Sequence, residues 1–347
     1  MNINGKKIGD GKPCYIIAEM SANHGGSFQK ALSIVREAGK AGANAVKLQT
    51  YTADTMTINC KNKYFRIGGK SLWAGKTLYG LYKKAATPWE WHAPLQKEAK
   101  KVGLDFFSTP FDETAVDFLA SLRVPVYKIA SFELVDNLLL EKIAKTRKPI
   151  ILSTGMASLK EIQTALSILK KKKSGPIALL KCISAYPAKT EEMNLRTIVD
   201  LRKKFGVVVG FSDHTVTNTS GVIAVSLGAK IIEKHLKLND RDKTPDSAFS
   251  LNPRQFKNFV DEIRAAESAL GQESYGVTAQ EKYNIRFRRS IFVVKDISQG
   301  RELTEENIRI IRPGFGLSPY FYKDILGKKA RKTILRGTPL TRDIIDV

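Results

Sequence analysis

Over the first two thirds of the chain, apolar residues come in short continuous runs rather than in alternation with polar ones. Eight such runs lie between residues 14 and 236: CYIIAEM from Cys14, ANAVKLQT from Ala43, DFFSTPF from Asp105, VYKIAS from Val126, PIILSTG from Pro149, IALLKCIS from Ile177, VVVGFSDH from Val207 and KIIEKHL from Lys230. A strand reads this way when helices cover both of its faces, as in a parallel sheet. Amphipathic helical stretches such as SFQKALSIVREAGKAG and SLKEIQTALSILKKKK fill the intervals. The runs start 29, 62, 21, 23, 28, 30 and 23 residues apart, and every interval but the second fits one strand plus one crossover helix. The pattern predicts an α/β protein, a (β/α)8 TIM barrel.

The long second interval carries an insertion. Residues 51–87 hold Gly68, Gly69, Gly75 and Gly80 among Trp73, Tyr79 and Tyr82, which predicts a long loop acting as a lid over the barrel mouth rather than a core element. After the eighth run, NPRQFKNFVDEIRAAESALG predicts a closing helix with Asn252 as N-cap, Pro253 at its first position and Gly271 ending it. The barrel domain is thus expected over 1–271 and an aperiodic linker over 272–285. Short runs such as SIFVVKDI and IRIIRPG, with turns at Gly300, Gly314 and Gly337, predict a small, mainly β domain over 286–347. A unit of that size is marginal alone and is expected to pack against a barrel.

The polar ends of the runs would share the C-terminal rim, where barrel enzymes place their active sites. They are Glu19, Lys47 with Gln49, Ser108 with Thr109, Lys128 with Ser131, Ser153, Ser184, Ser212 to His214, and Glu233 with His235. Two of the four histidines, His214 and His235, fall on neighbouring strands, and two imidazoles can hold a divalent metal while leaving coordination positions for water and substrate. Zinc usually takes three protein ligands in catalytic sites, so Mn²⁺ or another octahedral ion fits better. His24, on the strand that closes the barrel, is a weaker candidate for the same ion, and His92 reads as a structural or surface residue in a helix. Glu19 and Glu233 would either orient water and move a proton or form ion pairs with nearby lysines. The lysines and serines are donors suited to a phosphate and a carboxylate together.

Composition narrows the classes. At 43% hydrophobic, 347 residues can bury a full barrel core. MNINGKKIGDGK lacks the apolar run of a signal peptide, and no stretch approaches the roughly 18 apolar residues of a membrane span, so a cytoplasmic protein is expected. Cys14, Cys60 and Cys182 show no pairing pattern. The net charge of +23 is spread over both parts of the chain. Its one block, Lys170 to Lys173, ends a predicted helix and reads as a solvated face rather than a nucleic-acid patch, because no aromatics are interleaved with it. Two other classes remain as alternatives: a metal-dependent aldolase or isomerase on the same barrel, and a non-enzymatic basic binding protein.

At these positions the chain resembles the sialic acid synthases, which condense phosphoenolpyruvate with an N-acetylated sugar. IAEMSANHGG, AVKLQTY, FFSTPFD, YKIASFE, PIILSTGMA, GFSDHT, IIEKHL and PDSAFSL carry the likeness in order along the barrel. The tail, from RRSIFVVKDISQG through IRPGFGL to LGKKARKTI, looks like the antifreeze-protein-like (SAF, β-clip) domain of those enzymes. IAEMSANHGG and WAGKTLYGLYKKAATPWEWH look more like the pseudaminic branch than the neuraminic one. The implied reaction joins phosphoenolpyruvate, 2,4-diacetamido-2,4,6-trideoxy-L-altrose and water to give pseudaminic acid and phosphate, with neuraminate or legionaminate synthesis as the runner-up.

The resemblance also implies residue roles. Lys47, Thr109, Lys128, Ser131, Ser153 and Ser212 match positions that hold phosphoenolpyruvate, and Ser184 stands where relatives often have asparagine. His214 and His235 match the metal ligands, with Mn²⁺ expected and Mg²⁺ or Co²⁺ as alternatives, and Glu19 matches the carboxylate near the attacking water. Gln49, Glu133, Tyr186 and Asp246 match sugar-contacting positions. Arg312 matches a tail residue that reaches the sugar from the partner subunit, which implies a domain-swapped homodimer.

Overall fold

A computed structural model describes residues 1–69 and 71–346. The eight predicted runs form eight parallel strands: β1 (Tyr15–Glu19), β2 (Ala45–Thr50), β3 (Asp105–Pro110), β4 (Tyr127–Ile129), β5 (Ile150–Ser153), β6 (Ile177–Cys182), β7 (Val208–Asp213) and β8 (Ile231–His235). They pair in sequence order, and β8 closes on β1 with Ile231 opposite Tyr15 and His235 opposite Glu19. The sheet is therefore a closed TIM barrel, and its strands are continuous apolar runs because helices such as Phe28–Lys40 and Leu159–Lys171 cover their outer faces. Both helices bury one stripe, for example Ala31, Ile34, Val35 and Ala38 in the first. Gly221 fixes one helix contact: a Cβ there would come within 2.4 Å of the Phe259 ring on the closing helix.

The closing helix spans Pro253–Leu270, with the Asn252 side chain accepting from the Gln255 N–H, the Asn252 N–H donating in turn to Gln255 Oε1, and Gly271 at its end. The insertion differs from the expected loop. It contains a turn of helix at Ala53–Met56 and a two-turn helix at Leu78–Ala85, capped by Thr77 accepting from the Gly80 N–H. The cap and the buried Leu81 fold this stretch despite its internal glycine.

At the opposite rim, Asn2–Ile3 and Lys6–Lys7 pair as a hairpin. Asn4 Nδ2 and Lys6 Nζ meet the Asp105 carboxylate at 2.8 and 2.9 Å, and Tyr15 donates to it at 2.7 Å. Ile3 is fully buried in the barrel core, so the hairpin lies across the N-terminal ends of the strands.

The chain divides into two compact units, Met1–Gly271 and Gln272–Val347. The second is mainly β and has a core of its own. In it β9 (Ser290–Val293) pairs antiparallel with β10 (Ile308–Ile311), and Ile291, Val293, Ile297, Leu303, Ile334 and Leu340 pack together beneath. Gly300 and Gly337 sit at φ +77° and +87°, the left-handed backbone their turns require.

Candidate active site

Successive residues of a strand point to opposite sides, so residues two apart enter the barrel together. This places Lys47 with Gln49, Ser212 with His214, and Glu233 with His235 on the inner side. Register then makes neighbours of remote positions: Glu19 lies opposite Lys47 and His235, Gln49 opposite Thr109, and Ser212 opposite Glu233. A cavity of about 530 Å³ occupies this end of the barrel. Its wall includes Glu19, Lys47, Gln49, Thr109, Lys128, Ser131, Glu133, Ser153, Tyr186, Ser212, His214, Glu233, His235 and Asp246.

One side of the cavity is a buried charge network. Lys47 Nζ lies 2.6 Å from Glu19 Oε2, 3.7 Å from Glu233 Oε2 and 3.1 Å from Thr109 Oγ1. Gln49 donates to Glu19 at 3.2 Å and Ser212 to Glu233 at 3.0 Å. Burial pushes the Glu19 carboxyl up to about 7 against the pull of Lys47, and Glu233 adds to the rise. Burial also opposes charge on Glu233, but Lys128 and Lys47 outweigh it and hold that carboxyl below its usual value. Burial would lower the Lys47 ammonium, yet Glu19 and Glu233 more than reverse this. The two carboxylates share a lysine, the ion pairing expected of them, and their proton affinities are driven apart, so one can hold a proton while the other stays ionised.

A second group of donors clusters beside it. Lys128 Nζ donates to Ser153 Oγ at 2.7 Å and to the Ile129 carbonyl at 3.0 Å, and burial lowers its ammonium. Ser131 Oγ accepts from the Gly155 N–H at 3.0 Å. Ser184 Oγ is buried without a partner. Ser131 and Ser184 crowd Gly155 so closely that a Cβ there would meet their hydroxyls at 2.8 and 2.3 Å. Lysines with clustered hydroxyls suit an oxyanion.

The histidines lie two residues beyond Ser212 and Glu233, His214 directly after β7 and His235 at the end of β8. The rings of His214 and His235 have centroids 5.4 Å apart, and Phe249 packs against both. His214 Nδ1 donates to the Ile183 carbonyl at 2.8 Å, which leaves Nε2 as the lone-pair nitrogen. His235 Nδ1 is buried with no partner. Burial, with His214 and Lys47 nearby, keeps the His235 imidazole neutral, well below its usual value. Burial works against charge on His214 too, but Cys182, with Sγ 3.8 Å from Nδ1, and the Ile183 carbonyl outweigh it. Two imidazole donors with a free nitrogen each fit a divalent cation, which would compete with a proton at His214. Among the described residues no cluster of three or more His, Cys, Asp or Glu is arranged to hold one.

Several candidates sit elsewhere. Ser108 faces outward: its Oγ lies 2.6 Å from Thr50 Oγ1, which meets His92 Nε2 at 2.7 Å. His92 is fully buried in that contact, not on the surface. His24 is not in the cavity wall. Its Nε2 meets Thr87 at 3.2 Å, its Nδ1 accepts from Gly26, and burial lowers it to about 4. Asp246 is in the wall, but its Oδ2 already accepts from Ser21 at 2.5 Å and from the Ala22 N–H at 3.2 Å. Arg312 belongs to the second unit, directly after β10.

Two features escape sequence reasoning. Asp213 and Lys234, opposite each other in register, form a fully buried ion pair of 2.7 Å on the outer side of β7 and β8. Lys234 Nζ also reaches the Thr215 and Thr217 carbonyls at 2.5 and 3.2 Å, fixing the loop that follows His214. Trp73 of the insertion donates from Nε1 to the Pro245 carbonyl at 3.0 Å and packs on Tyr186 at 5.7 Å.

Comparison with known proteins gives the same picture. Residues 34–275 match the NeuB family and residues 288–345 the SAF domain. The pseudaminic acid synthase of Helicobacter pylori is 48% identical over 96% of this chain and 98% of its own. The N,N'-diacetyllegionaminic acid synthase of Legionella pneumophila is 35% identical over 99% and 98%. Among solved structures, N-acetylneuraminic acid synthetase of Leptospira borgpetersenii superposes with a TM-score of 0.73 at 34% identity, covering 82% of this chain and 94% of that one. A closed barrel with this rim, followed by a SAF unit and matched along nearly its whole length, places the chain in the NeuB family.

Proposed function

We propose that this protein is a pseudaminic acid synthase, joining phosphoenolpyruvate to 2,4-diacetamido-2,4,6-trideoxy-L-altrose with water and releasing phosphate. The observation that carries the reading is the greater likeness, over nearly the full chain, to the Helicobacter enzyme than to the legionaminic one. Legionaminate or neuraminate synthesis would use the same rim with a different sugar.

The residues divide the work by their chemistry. Lys47 and Lys128 offset the charge of the phosphate and carboxylate, while Thr109, Ser131, Ser153 and Ser184 supply hydroxyl donors and Ser212, its proton given to Glu233, turns to the substrate only if that bond is released. A divalent cation, Mn²⁺ in our reading with Mg²⁺ or Co²⁺ as alternatives, would be held by His214 and His235 and would polarise the aldehyde oxygen of the open-chain sugar. The enol C3 bonds to the aldehyde carbon and the sugar oxygen gains a proton. Glu19 orients the water that adds at C2 and takes its proton, a task suited to a carboxyl near 7. The C2–O bond to phosphate then breaks, returning a carbonyl at C2. Glu233, held ionised, keeps Ser212 and Lys47 in place. Gln49, Glu133, Tyr186 and Asp246 face the sugar. In our reading Arg312 serves the barrel of a second copy in a swapped homodimer, and the enzyme works in the cytoplasm; among the described residues no helix is long and apolar enough to cross a membrane.

Purified protein with phosphoenolpyruvate, Mn²⁺ and each candidate sugar should release phosphate fastest with the altrose derivative. Phosphoenolpyruvate labelled in its bridging oxygen should pass the label to phosphate. No phosphate from any sugar refutes the synthase reading, and faster turnover of the legionaminic precursor moves the assignment to that branch.

A further inference from the structure

We propose that the insertion between β2 and β3 supplies an apolar compartment that selects sugars with methyl-terminated substituents, and that Trp73 fastens it over the cavity. The inference rests on the synthase reading and narrows it to a substrate class.

The cavity wall has two origins. Its ionic groups come from the barrel strands and the loops that follow them. The insertion contributes Met56, Ile67, Trp73, Leu78, Leu81 and Tyr82, with Ser71 its one aliphatic hydroxyl, and among the described residues of 51–87 no charged side chain lines the cavity, although the segment is rich in lysine. The compartment is built rather than incidental. Trp73 is tied by its Nε1 to the Pro245 carbonyl, one residue before Asp246 of the wall, and its ring rests on Tyr186. Tyr51 stands edge-on to both Tyr82 and Phe111, at 5.9 and 5.2 Å, joining the insertion to the strand ends.

A hydroxyl pressed against Met56, Ile67, Leu78 and Leu81 loses its water without gaining a partner there, whereas a methyl group loses nothing. The trideoxy diacetamido sugar presents three methyl groups, at C6 and on two acetyls. A hexosamine with one acetamido group presents a single methyl and keeps a polar hydroxymethyl arm. The insertion therefore favours the first class, by the roughly 10- to 200-fold that one such group is worth in an apolar pocket.

The test compares kcat/KM for 2,4-diacetamido-2,4,6-trideoxy-L-altrose and N-acetylmannosamine, at saturating phosphoenolpyruvate and Mn²⁺, in the wild type, Met56→Gln and Trp73→Phe. Met56 is half-buried on a single helical turn, so the near-isosteric Gln spares folding. Met56→Gln should cut the preference for the trideoxy sugar about tenfold through its KM, with the KM of phosphoenolpyruvate unchanged. Trp73→Phe, which keeps a six-membered aromatic ring and removes the N–H, should raise the sugar KM alone. Equal loss with both sugars, or a parallel rise in the KM of phosphoenolpyruvate, would overturn the compartment. So would a wild type that prefers N-acetylmannosamine, which moves the assignment to the neuraminic branch but leaves phosphoenolpyruvate-dependent synthesis intact. No turnover of either sugar by the wild type would remove both.

Discussion

At Gly155 the backbone passes so close to two serine hydroxyls that even a methyl group would displace them. Gly155→Ala should therefore raise the KM of phosphoenolpyruvate at least tenfold and leave the sugar KM nearly unchanged, a split that steady-state kinetics resolves. Glu133 tests the electrostatics. Its Oε2 is buried without a partner, and burial pushes the carboxyl up to about 7 from an ordinary 4.5. Between those values the unfolded chain ionises while the folded one does not, so the stability of the ligand-free protein should fall as pH rises from about 4.5 to about 7 and level off above. Glu133→Gln should reduce that slope, leaving the share that Glu19, raised to the same range, contributes, and raise Tm at pH 8; a variant with the full wild-type slope would show that Glu133 does not titrate there. At this scale the inward residues were legible because strand ends bring them to one rim, but the sequence did not say which of two adjacent polar residues turns inward. Alternation decides it, sending Thr109 into the cavity and Ser108 to Thr50.

Among the elements, the barrel strands were readable because burial on two faces leaves uninterrupted apolar runs, and the closing helix because Asn252, Pro253 and Gly271 mark its ends. The insertion helices were not, since glycines and lysines dilute their period and only packing beside the cavity holds them. The N-terminal hairpin was missed although Asn4–Gly5, at φ +48° and +86°, is a strong turn signal; its two-residue strands are too short to show alternation. The Asp213–Lys234 pair needed strand register, which no periodicity supplies. Leaving either charge buried alone costs about 3–5 kcal/mol, so Lys234→Met should lower Tm sharply and weaken Mn²⁺ binding, measured by calorimetry. Adding Asp213→Leu should recover much of the stability, because no lone charge remains; a double variant as unstable as the single one would contradict this account.

For the whole molecule, the sequence separated a barrel from a tail but could not say which barrel the tail serves. If Arg312 reaches a second copy, Arg312→Ala should raise the sugar KM far more than that of phosphoenolpyruvate. Mixing it with inactive His235→Ala should restore part of the activity through hybrid dimers carrying one intact site, and a mixture no more active than the Arg312→Ala protein alone would assign the tail to its own barrel.

The hairpin across the lower rim has a kinetic consequence. With the interior filled by side chains and that end stoppered by Ile3 and the Asp105 contacts, substrates and products share a single doorway. If the sugar seats against the insertion, outside Lys47 and Lys128, phosphoenolpyruvate should enter first and the nine-carbon acid leave before phosphate. Traffic through one gate would then impose an ordered sequence, and product-inhibition kinetics should show phosphate competing with phosphoenolpyruvate but not with the sugar.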